Sequence, residues 1–351
     1  MKSEHILFER RGGVGLVTLN RPQALNALSH AMTRDLHSIL RDWELDSNIA
    51  IVVVRGSGDK AFCAGGDITA LYKARGTSPK HSHQFYWDEY RLNTYIKHYS
   101  KPYVSLIDGI VMGGGVGVSV HGSHRVVTQN VIFAMPETGI GLFPDVGATY
   151  FLTRCPGETG KYIGLTGVRL GAGDSLYAGV ATNYTVAEKI DDLLDSLIAH
   201  PLQLEKILAE YSGIAQEGCL EGLRREIDKV FGASSLDAIF ATLENDTSPW
   251  ASNTLEMLRG KSPTSLKVSF RQLQEGRSLS FHQCMALEYR LVHRFISGKD
   301  FYEGIRAAVI DKDGCPEWNP RLLEAVDDLE VEKYFSPLGG EELSLEGLGN
   351  K

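Results

Sequence analysis

Hydrophobic and polar positions follow two patterns along the chain. In the first pattern, short extended runs typical of strands alternate with helical segments. Two short extended runs, HILFERR and VGLVTLN, meet at Gly12-Gly13 and predict a hairpin. After Asn20-Arg21-Pro22 the apolar residues recur at helical spacing, and Ser29 is placed to cap a helix. These apolar residues are Met32, Leu36, Ile39, Leu40 and Trp43. The chain is therefore predicted to open with a hairpin and an amphipathic helix.

Runs typical of strands then recur. IAIVVVRG is a continuous β-branched run of the kind found in strands buried on both faces, and the turn KAFCAGGD follows it. A helical stretch from Gln84 to Tyr99 leads to PYVSLIDGI, a further predicted strand, and HRVVTQNVIFAMPE predicts two more. Strand, strand and helix alternate without a residue-level repeat. This order favours a coiled or layered α/β core over a helical bundle.

In the second pattern, which begins near Thr185 and continues almost to Asp311, apolar residues recur at helical spacing. Three prolines are expected to break it, namely Pro201, Pro249 and Pro263. From Pro316 the tail mixes proline, glycine and acidic residues. We expect this tail to wrap the periphery or to be partly mobile.

The composition is that of an ordinary globular protein, and it limits the partners. The chain has 351 residues, of which 43% are hydrophobic and 23% are charged, and its formal net charge is −8. The length favours one large domain with an elaboration, or two domains. Nucleic-acid and membrane-surface binding both need a positive field, so neither partner is expected. A small anionic ligand held by a few local Lys or Arg side chains stays open.

The cysteines and the termini bear on the compartment. The five cysteines are far apart, form no CxxC pair and are odd in number, which is typical of a reducing compartment. The start, MKSEHILFERR, does not resemble an ordinary signal peptide, and GLGNK is no peroxisomal address. The longest uncharged stretch, Gly109 to Val120, is too short to span a bilayer. We therefore expect a cytoplasmic protein without a membrane span.

Two glycine clusters each follow a predicted strand. Gly65-Gly66 lies in AFCAGGD, and Gly113-Gly114-Gly115 follows DGIVM, with Gly117 just beyond. Without a Cβ, glycine lets backbone N–H groups approach a ligand closely. Two such donors aimed at one oxygen would polarise a carbonyl and hold the resulting oxyanion, each contributing about 2.7–4 kcal/mol in the transition state. The alternatives are a tight turn for the first cluster and close helix packing for the second.

The second cluster also resembles a dinucleotide-binding turn, because a GxGxG pattern follows a strand and Glu137 lies about 20 residues beyond it. That interpretation is less favoured for two reasons. The cluster lies deep in the chain rather than in an opening βαβ unit, and a second glycine pair already follows another strand.

The stretch MPETGIGLFPDVG places two carboxylates, Glu137 and Asp145, among apolar residues, glycine and proline. Burying a charged group among apolar residues costs free energy, unless the group is paired with another charge or has a role in binding or catalysis. A partly desolvated Glu137 beside an activated carbonyl could act as a base or a nucleophile. The alternatives are a helix N-terminal acid after Pro136, and a turn residue or helix cap for Asp145 after Pro144.

The sequence gives little indication of a metal site or of serine hydrolase chemistry. His121 and His124, in HGSH, have no acidic or thiol neighbours at ligand spacing, so no metal site is expected. They are interpreted as surface histidines or as supports for residues that touch a ligand. No GxSxG occurs, so a serine hydrolase elbow is not indicated.

Taken together, the motifs resemble the crotonase superfamily, which has the enoyl-CoA hydratase/isomerase fold. They are NRP and NAL at residues 20–28, AFCAGGD, DGIVMGGGVG, MPE, LTG at residues 165–167, and DFYEGIRAAV near Asp300. The resemblance covers about residues 5–185 and the helical tail. It implies a spiral of ββα units with a helical C-terminal region, an acyl-CoA thioester substrate, and an oxyanion hole from the N–H groups of Gly66 and Gly114. No cofactor is expected, since coenzyme A is part of the substrate.

The resemblance also implies a division of the chain. Residues 1–200 would form the spiral core and residues 201–258 an additional helical segment. Residues 259–318 would form the helical tail of the superfamily and residues 319–351 a C-terminal extension. Members of the superfamily often assemble as trimers, so a homo-oligomer is possible.

Two positions indicate a subgroup. Hydratases of this fold use a pair of glutamates; the place of the first is Gly117 here, the second is Glu137, and Asp145 stands where hydratases tend to carry glycine. This pattern resembles the subgroup that hydrolyses β-hydroxyacyl-CoA thioesters. It implies 3-hydroxyisobutyryl-CoA as the substrate, in valine breakdown, with Asp145 binding the 3-hydroxyl. Whether Glu137 attacks the thioester or activates water stays open, and 3-hydroxypropionyl-CoA is the alternative substrate.

By analogy, further residues would touch the substrate. Glu89 stands where the subgroup has an acid that contacts substrate, although an exposed helix residue would need no such explanation. Coenzyme A would meet the backbone of Ala24, Leu25, Asn26 and Ala27, with Lys73 or Arg75 near its phosphates. Two alternatives remain, an enoyl-CoA hydratase or isomerase that uses Glu137 alone and a non-catalytic acyl-CoA binding module.

Overall fold

The computed structural model describes residues 4–75 and 79–348. Its strands are β1 Ile6–Arg11, β2 Val14–Leu19, β3 Ile51–Gly56, β4 Ala61–Cys63, β5 Tyr103–Ile107, β6 Ile110–Met112, β7 His124–Val127, β8 Ile132–Ala134 and β9 Asn183–Tyr184. Its helices are α1 His30–Leu45, α2 Ile68–Lys73, α3 Pro79–Lys97, α4 Gly114–Gly117, α5 Ala148–Phe151, α6 Thr159–Thr166, α7 Ala172–Tyr177, α8 Ile190–Ala199, α9 Leu204–Tyr211, α10 Arg224–Phe231, α11 Leu236–Glu244, α12 Pro249–Arg259, α13 Pro263–Glu275, α14 Phe281–Phe295, α15 Asp300–Ile305 and α16 Asp328–Phe335.

The larger sheet has six strands in the order β1-β2-β3-β5-β7-β9. β1 and β2 form the predicted antiparallel hairpin, and the following pairs are parallel. The predicted first helix is also confirmed. Ser29 accepts a hydrogen bond from the Met32 amide at its start, and the five apolar positions named above are all buried.

The smaller sheet positions the site. It contains three parallel strands in the order β4-β6-β8. The carboxyl ends of neighbouring parallel strands meet at one edge of a sheet, which is where α/β folds place their ligands. The segment Ala64–Asp67 follows β4, Gly113 follows β6, and Met135-Pro136-Glu137 follows β8. Three predicted motifs therefore leave the same edge side by side.

The C-terminal half is helical, as predicted. α8 and α9 cover one face of the larger sheet with Leu193, Leu197 and Ile207, and the remaining helices join the main core. The three predicted breaks are confirmed, since one helix ends shortly before each proline and the next begins at it. Each proline occupies the first turn of the new helix, where its missing N–H costs nothing. A longer break that was not predicted is the irregular segment 212–223, which contains three glycines.

The tail is ordered where it is described. α16 buries Val331 and Phe335 against α13 and α14, so this part of the tail wraps the periphery. No described helix combines the length and the apolar character that a bilayer crossing requires.

Candidate active site

The two glycine loops meet. A Cβ placed on Gly114 would lie 3.2 Å from the amide nitrogen of Gly66 and 3.4 Å from the carbonyl carbon of Gly65. Within the described residues, neither the Gly66 amide nor the Gly114 amide donates a hydrogen bond to a backbone carbonyl. Two free N–H groups on touching loops can converge on one ligand oxygen, which is the arrangement an oxyanion hole requires.

The segment Ala24–Ala27 packs against the first glycine loop. The Ala64 amide donates to the Leu25 carbonyl at 2.9 Å, and the Leu28 amide donates to the Gly65 carbonyl at 2.8 Å. The Asn26 side chain is fully buried and donates to the Ser57 and Ala61 carbonyls, so it holds the loop rather than facing a ligand. The four backbone amides of this segment donate to the carbonyls of Arg21, Pro22 and Ala24, so coenzyme A would have to meet the carbonyl oxygens. That contact stays a prediction.

The two cations suggested for the coenzyme A phosphates lie at the end of α2. Lys73 and Arg75 are both exposed, and the Arg75 guanidinium carbon lies 4.7 Å from the centre of the Tyr302 ring. Their contact with phosphate is likewise a prediction.

Glu137 begins a short 3₁₀ helix, Glu137–Ile140, yet its side chain is only 4% exposed. Its Oε1 lies 3.2 Å from the Cβ position of Gly113, and its Oε2 has no hydrogen-bond partner among the described residues. The role of helix N-terminal acid therefore accounts for its place in the chain but not for its burial. Burial first, and then the charge of Asp145, raise the pKa of Glu137 well above its ordinary value, while the Lys261 ammonium opposes the rise. A carboxylate with a raised pKa is a stronger base.

Asp145 is also 4% exposed, and its Oδ2 accepts a 2.8 Å hydrogen bond from the Tyr90 hydroxyl. Burial raises the pKa of Asp145 to about 7, although the bond from Tyr90 opposes the rise. The carboxylate caps no helix, since the cap of α5 is Gly147 and only the backbone carbonyl of Asp145 accepts from the Ala148 amide. The turn explanation leaves the buried carboxylate unexplained.

Glu89 is not the exposed helix residue that one alternative assumed. It is 2% exposed because α3 packs against both α1 and α14. Its Oε1 lies 2.6 Å from the Cβ position of Gly114 and has no hydrogen-bond partner among the described residues. Burial, followed by the charge of Asp145, raises the pKa of Glu89 well above its ordinary value. A third carboxyl group thus borders the space in front of the amides.

Position 117, where hydratases of this fold carry their first glutamate, has no room for a side chain. A Cβ on Gly117 would lie 2.8 Å from Asn93 Nδ2 and 2.8 Å from Val146 Cβ. These distances are shorter than van der Waals contact, so no side chain fits there unless its neighbours move. A second proton-transferring acid is therefore absent from position 117 for steric reasons as well as by sequence.

Three more buried side chains support the Asp145 turn, and sequence reasoning singled out only one of them. His121 Nε2 lies 2.7 Å from the Val146 carbonyl oxygen, and burial lowers the pKa of His121 to about 3. The surface interpretation is therefore wrong for His121. His124 is partly exposed and lies 3.0 Å from Glu205.

Glu288 and Gln272 were missed. Glu288 Oε2 accepts from the Gly147 amide and Oε1 from the Thr149 amide, at 2.7 and 2.8 Å. Gln272 Nε2 donates to the Pro144 carbonyl at 2.7 Å. One signal was available, because Glu288 interrupts the apolar face of α14 at the spacing of a buried position. A charged residue there needs a partner.

Comparisons with known proteins fit this geometry. Residues 14–335 match the family described as Enoyl-CoA hydratase/isomerase. A relative in Xenopus tropicalis named 3-hydroxyisobutyryl-CoA hydrolase, mitochondrial, is 45% identical over 98% of this chain and 92% of its own length. Proteins of the same name in Danio rerio and Homo sapiens are 46% and 41% identical over 97% of this chain and 91% of their own lengths.

Solved structures share the fold. A protein described as a carnitinyl-CoA dehydratase from Mycobacterium thermoresistibile superposes with a TM-score of 0.94 at 38% identity, covering 98% of this chain and all 100% of its own. One described as an enoyl-CoA hydratase from Rhodobacter sphaeroides gives 0.92 at 40% identity, covering 97% and 100%. The predicted fold class is confirmed.

Proposed function

The chain belongs to the enoyl-CoA hydratase/isomerase family, and we propose that it hydrolyses 3-hydroxyisobutyryl-CoA to 3-hydroxyisobutyrate and coenzyme A. The relatives named for that hydrolysis match nearly the whole chain at 41–46% identity, which bears out the thioester hydrolase predicted from the sequence. The observation that carries the assignment to this site is the closed position 117 beside a buried Asp145. This site has an acid for a substrate hydroxyl, and it has no acid at the position of the first hydratase glutamate.

We infer that the reaction uses the two amides and the carboxyl groups described above. The thioester oxygen accepts hydrogen bonds from the Gly66 and Gly114 amides, which stabilise the negative charge as the carbonyl carbon becomes tetrahedral. Glu137 then attacks that carbon and forms an anhydride that water opens, or it takes a proton from a water molecule that attacks directly. Both routes break the carbon–sulfur bond, release the thiol with a proton, and consume one water.

Asp145 provides the selection for a 3-hydroxyl group. Its Oδ2 accepts a hydrogen bond from Tyr90, and we expect the other carboxylate oxygen to accept from the substrate hydroxyl. A site built to bond a hydroxyl rejects an analogue without one, because its buried acceptor is then left unpaired. We expect 3-hydroxyisobutyryl-CoA to react faster than isobutyryl-CoA, and the comparison with 3-hydroxypropionyl-CoA ranks the two hydroxy substrates.

The metabolic setting remains a proposal. Hydrolysis of this thioester fits valine breakdown, a pathway that none of the relatives' names mentions. The names of the curated relatives include the word mitochondrial, so they do not support the cytoplasmic location predicted from the sequence. Fractionation of the source cells with an antibody to the full chain would assign the compartment.

A second candidate function, hydration of an enoyl-CoA, is favoured by the descriptions of the two similar structures. It would have to use Glu137 alone. Crotonyl-CoA separates the two functions: hydration removes the enoyl absorbance without releasing thiol, whereas hydrolysis releases thiol.

The deciding experiment is a thiol-release assay with the purified full chain on a panel of acyl-CoAs. We expect release from 3-hydroxyisobutyryl-CoA, and none of comparable rate from crotonyl-CoA. No release from any β-hydroxyacyl-CoA would overturn the hydrolase assignment. A Glu137→Gln variant that matched the parent in every activity would support a binding module instead.

The remaining partner predictions have simple tests. The proposed steps need only these side chains, the two amides and water, so dialysis against EDTA should leave thiol release unchanged. Sedimentation of the full chain would show whether the predicted homo-oligomer forms.

A further inference from the structure

The turn that carries Asp145 has an unfavourable backbone. Val146 has a φ of 53° and Gly147 has a φ of 90°, so two successive residues lie in the left-handed region. A β-branched residue rarely adopts this conformation, and it persists only where surrounding contacts impose it. The position of the Asp145 carboxyl group therefore depends on whatever holds this turn.

Three buried side chains from distant elements hold it. Glu288 of α14 accepts hydrogen bonds from the Gly147 and Thr149 amides, as described above. These bonds hold the turn on both sides of Ala148. Gln272 of α13 donates to the Pro144 carbonyl and, at 2.7 Å, to the Thr149 hydroxyl. His121 Nε2 lies within hydrogen-bond distance of the Val146 carbonyl oxygen. Among these, Glu288 alone bonds two amides of the turn.

Glu288 is a costly residue in this place. It is fully buried, and no ion pair to it occurs among the residues the structure describes. Burial raises the pKa of Glu288 to about 8, although the two amide bonds oppose the rise. A buried carboxyl group without a cation is destabilising relative to an apolar side chain of similar size. Its presence here is accounted for by the turn it holds.

We propose that Glu288 is a positioning residue for the reaction: its bonds to the Gly147 and Thr149 amides set the Asp145 carboxyl group where it meets the substrate hydroxyl. This inference rests on the proposed function, because it assumes that a hydroxyl group is recognised. It adds a residue that touches neither substrate nor reacting atoms and acts through Asp145.

The test is Glu288→Gln in the full chain. A glutamine can accept one of the two amides through its oxygen, but its NH₂ group then faces the second N–H, so the turn loses one bond. The quantity to measure is the ratio of kcat/KM for 3-hydroxyisobutyryl-CoA to that for isobutyryl-CoA. We expect this ratio to fall about 10- to 100-fold, since a displacement of about 1 Å at a site has an effect of this size. A purely structural role would lower both kcat/KM values together and leave the ratio unchanged.

Two further variants make the test specific. In an Asp145→Asn background, Glu288→Gln should lower the ratio no further, because both changes act through one contact. Asp174→Asn is the matched control, since Asp174 Oδ1 also accepts a backbone amide, from Leu220 at 2.8 Å, outside the site. That variant should keep the parent ratio. If Glu288→Gln does not accumulate in folded form, Glu288→Asp carries the same test, because it keeps both acceptors but shifts them.

The outcomes separate the two proposals. A parent enzyme that releases no thiol from 3-hydroxyisobutyryl-CoA overturns the proposed function and this inference with it. A parent that discriminates, together with a folded Glu288→Gln variant of unchanged ratio, overturns the positioning role alone. A further drop of the ratio in the double variant also overturns it.

Discussion

The amides of Gly66 and Gly114 and the carboxyl groups of Glu137 and Asp145 border the same space, but the chain holds them in different ways. The amides belong to the main chain, on loops that follow the paired strands β4 and β6. Asp145 is a side chain on a strained turn that α13 and α14 hold from more than a hundred positions away. The amide side therefore depends on local sequence and strand pairing, whereas the carboxylate side depends on remote packing.

The largest effect is expected on the carboxylate side, from Glu137→Gln. The amide keeps the shape of the side chain but can neither attack the thioester nor accept a proton from water, so turnover should fall about 10²- to 10⁴-fold. Thiol release under saturating substrate measures the loss. KM should change little, because the amides proposed to bind the carbonyl are untouched. A variant with parent turnover would show that the carboxylate side supplies no chemistry.

The next effect is expected on the amide side, from Gly114→Ala. The new Cβ would lie 2.6 Å from Glu89 Oε1 and 3.2 Å from the Gly66 amide, so it would enter the space of the substrate oxygen. We expect a loss of about 10²- to 10³-fold in kcat, the effect of removing one oxyanion donor. Gly171→Ala is the control, since its Cβ would meet nothing within 4 Å. Equal rates for the two variants would contradict the amide arrangement.

The amide side and the carboxylate side of the site also differ in how much of each the sequence predicted. The glycine loops were predictable because a glycine pair after a strand is a local pattern, and the strands that precede them pair directly. Glu137 follows the third strand of the same small sheet, so its approach was also predictable. The resemblance to the family added the roles of these residues.

The supports of Asp145 could not be predicted in the same way. Gln272 and Glu288 lie on helices whose packing against the turn is set by the whole core, and no local spacing links them to Asp145. The burial of Glu89 was missed for the same reason, because both faces of α3 are covered by other helices. The helix breaks before Pro249 and Pro263 were predictable, by contrast, because a proline suits the first turn of a helix but not its interior.

The third prediction tests whether the carboxylate side depends on remote packing. Gln272→Leu leaves the buried Pro144 carbonyl without its donor, which should lower the free energy of unfolding by about 1–3 kcal/mol. Urea unfolding measures this. Gln274→Leu is the control, because Gln274 lies on the same helix and is exposed. Gly114→Ala, by comparison, should reduce activity with less effect on stability. Equal stabilities for the two glutamine variants would contradict the comparison.

The smallest effect concerns the pH dependence of stability. Burial raises the pKa of Asp145 from an ordinary 3.8 to about 7, so the folded state binds the proton more tightly than the unfolded chain does. The resulting stabilisation is full below about pH 4 and is lost as the pH rises through about 7, by at most about 1.4 kcal/mol for each pH unit. Asp145→Asn should flatten this part of the curve.

Urea unfolding of parent and variant at matched pH values would reveal the difference. Relative to the parent, the asparagine variant should gain stability as the solution becomes more alkaline. Parallel curves across the whole range would contradict the burial of Asp145 as an acid with a raised pKa.

The closed space at Gly117 has a consequence for how this family changes its chemistry. The atoms that exclude a side chain from position 117 belong to Asn93 of α3 and to Val146, the immediate neighbour of Asp145. Introducing the missing hydratase glutamate would push aside the turn that carries Asp145, the acid proposed to bind the substrate hydroxyl. We therefore expect that a substitution at position 117 alone would not convert this scaffold from hydrolysis to hydration by the usual glutamate pair. A lineage that crossed from one activity to the other would have had to rebuild position 117 and the Asp145 turn together.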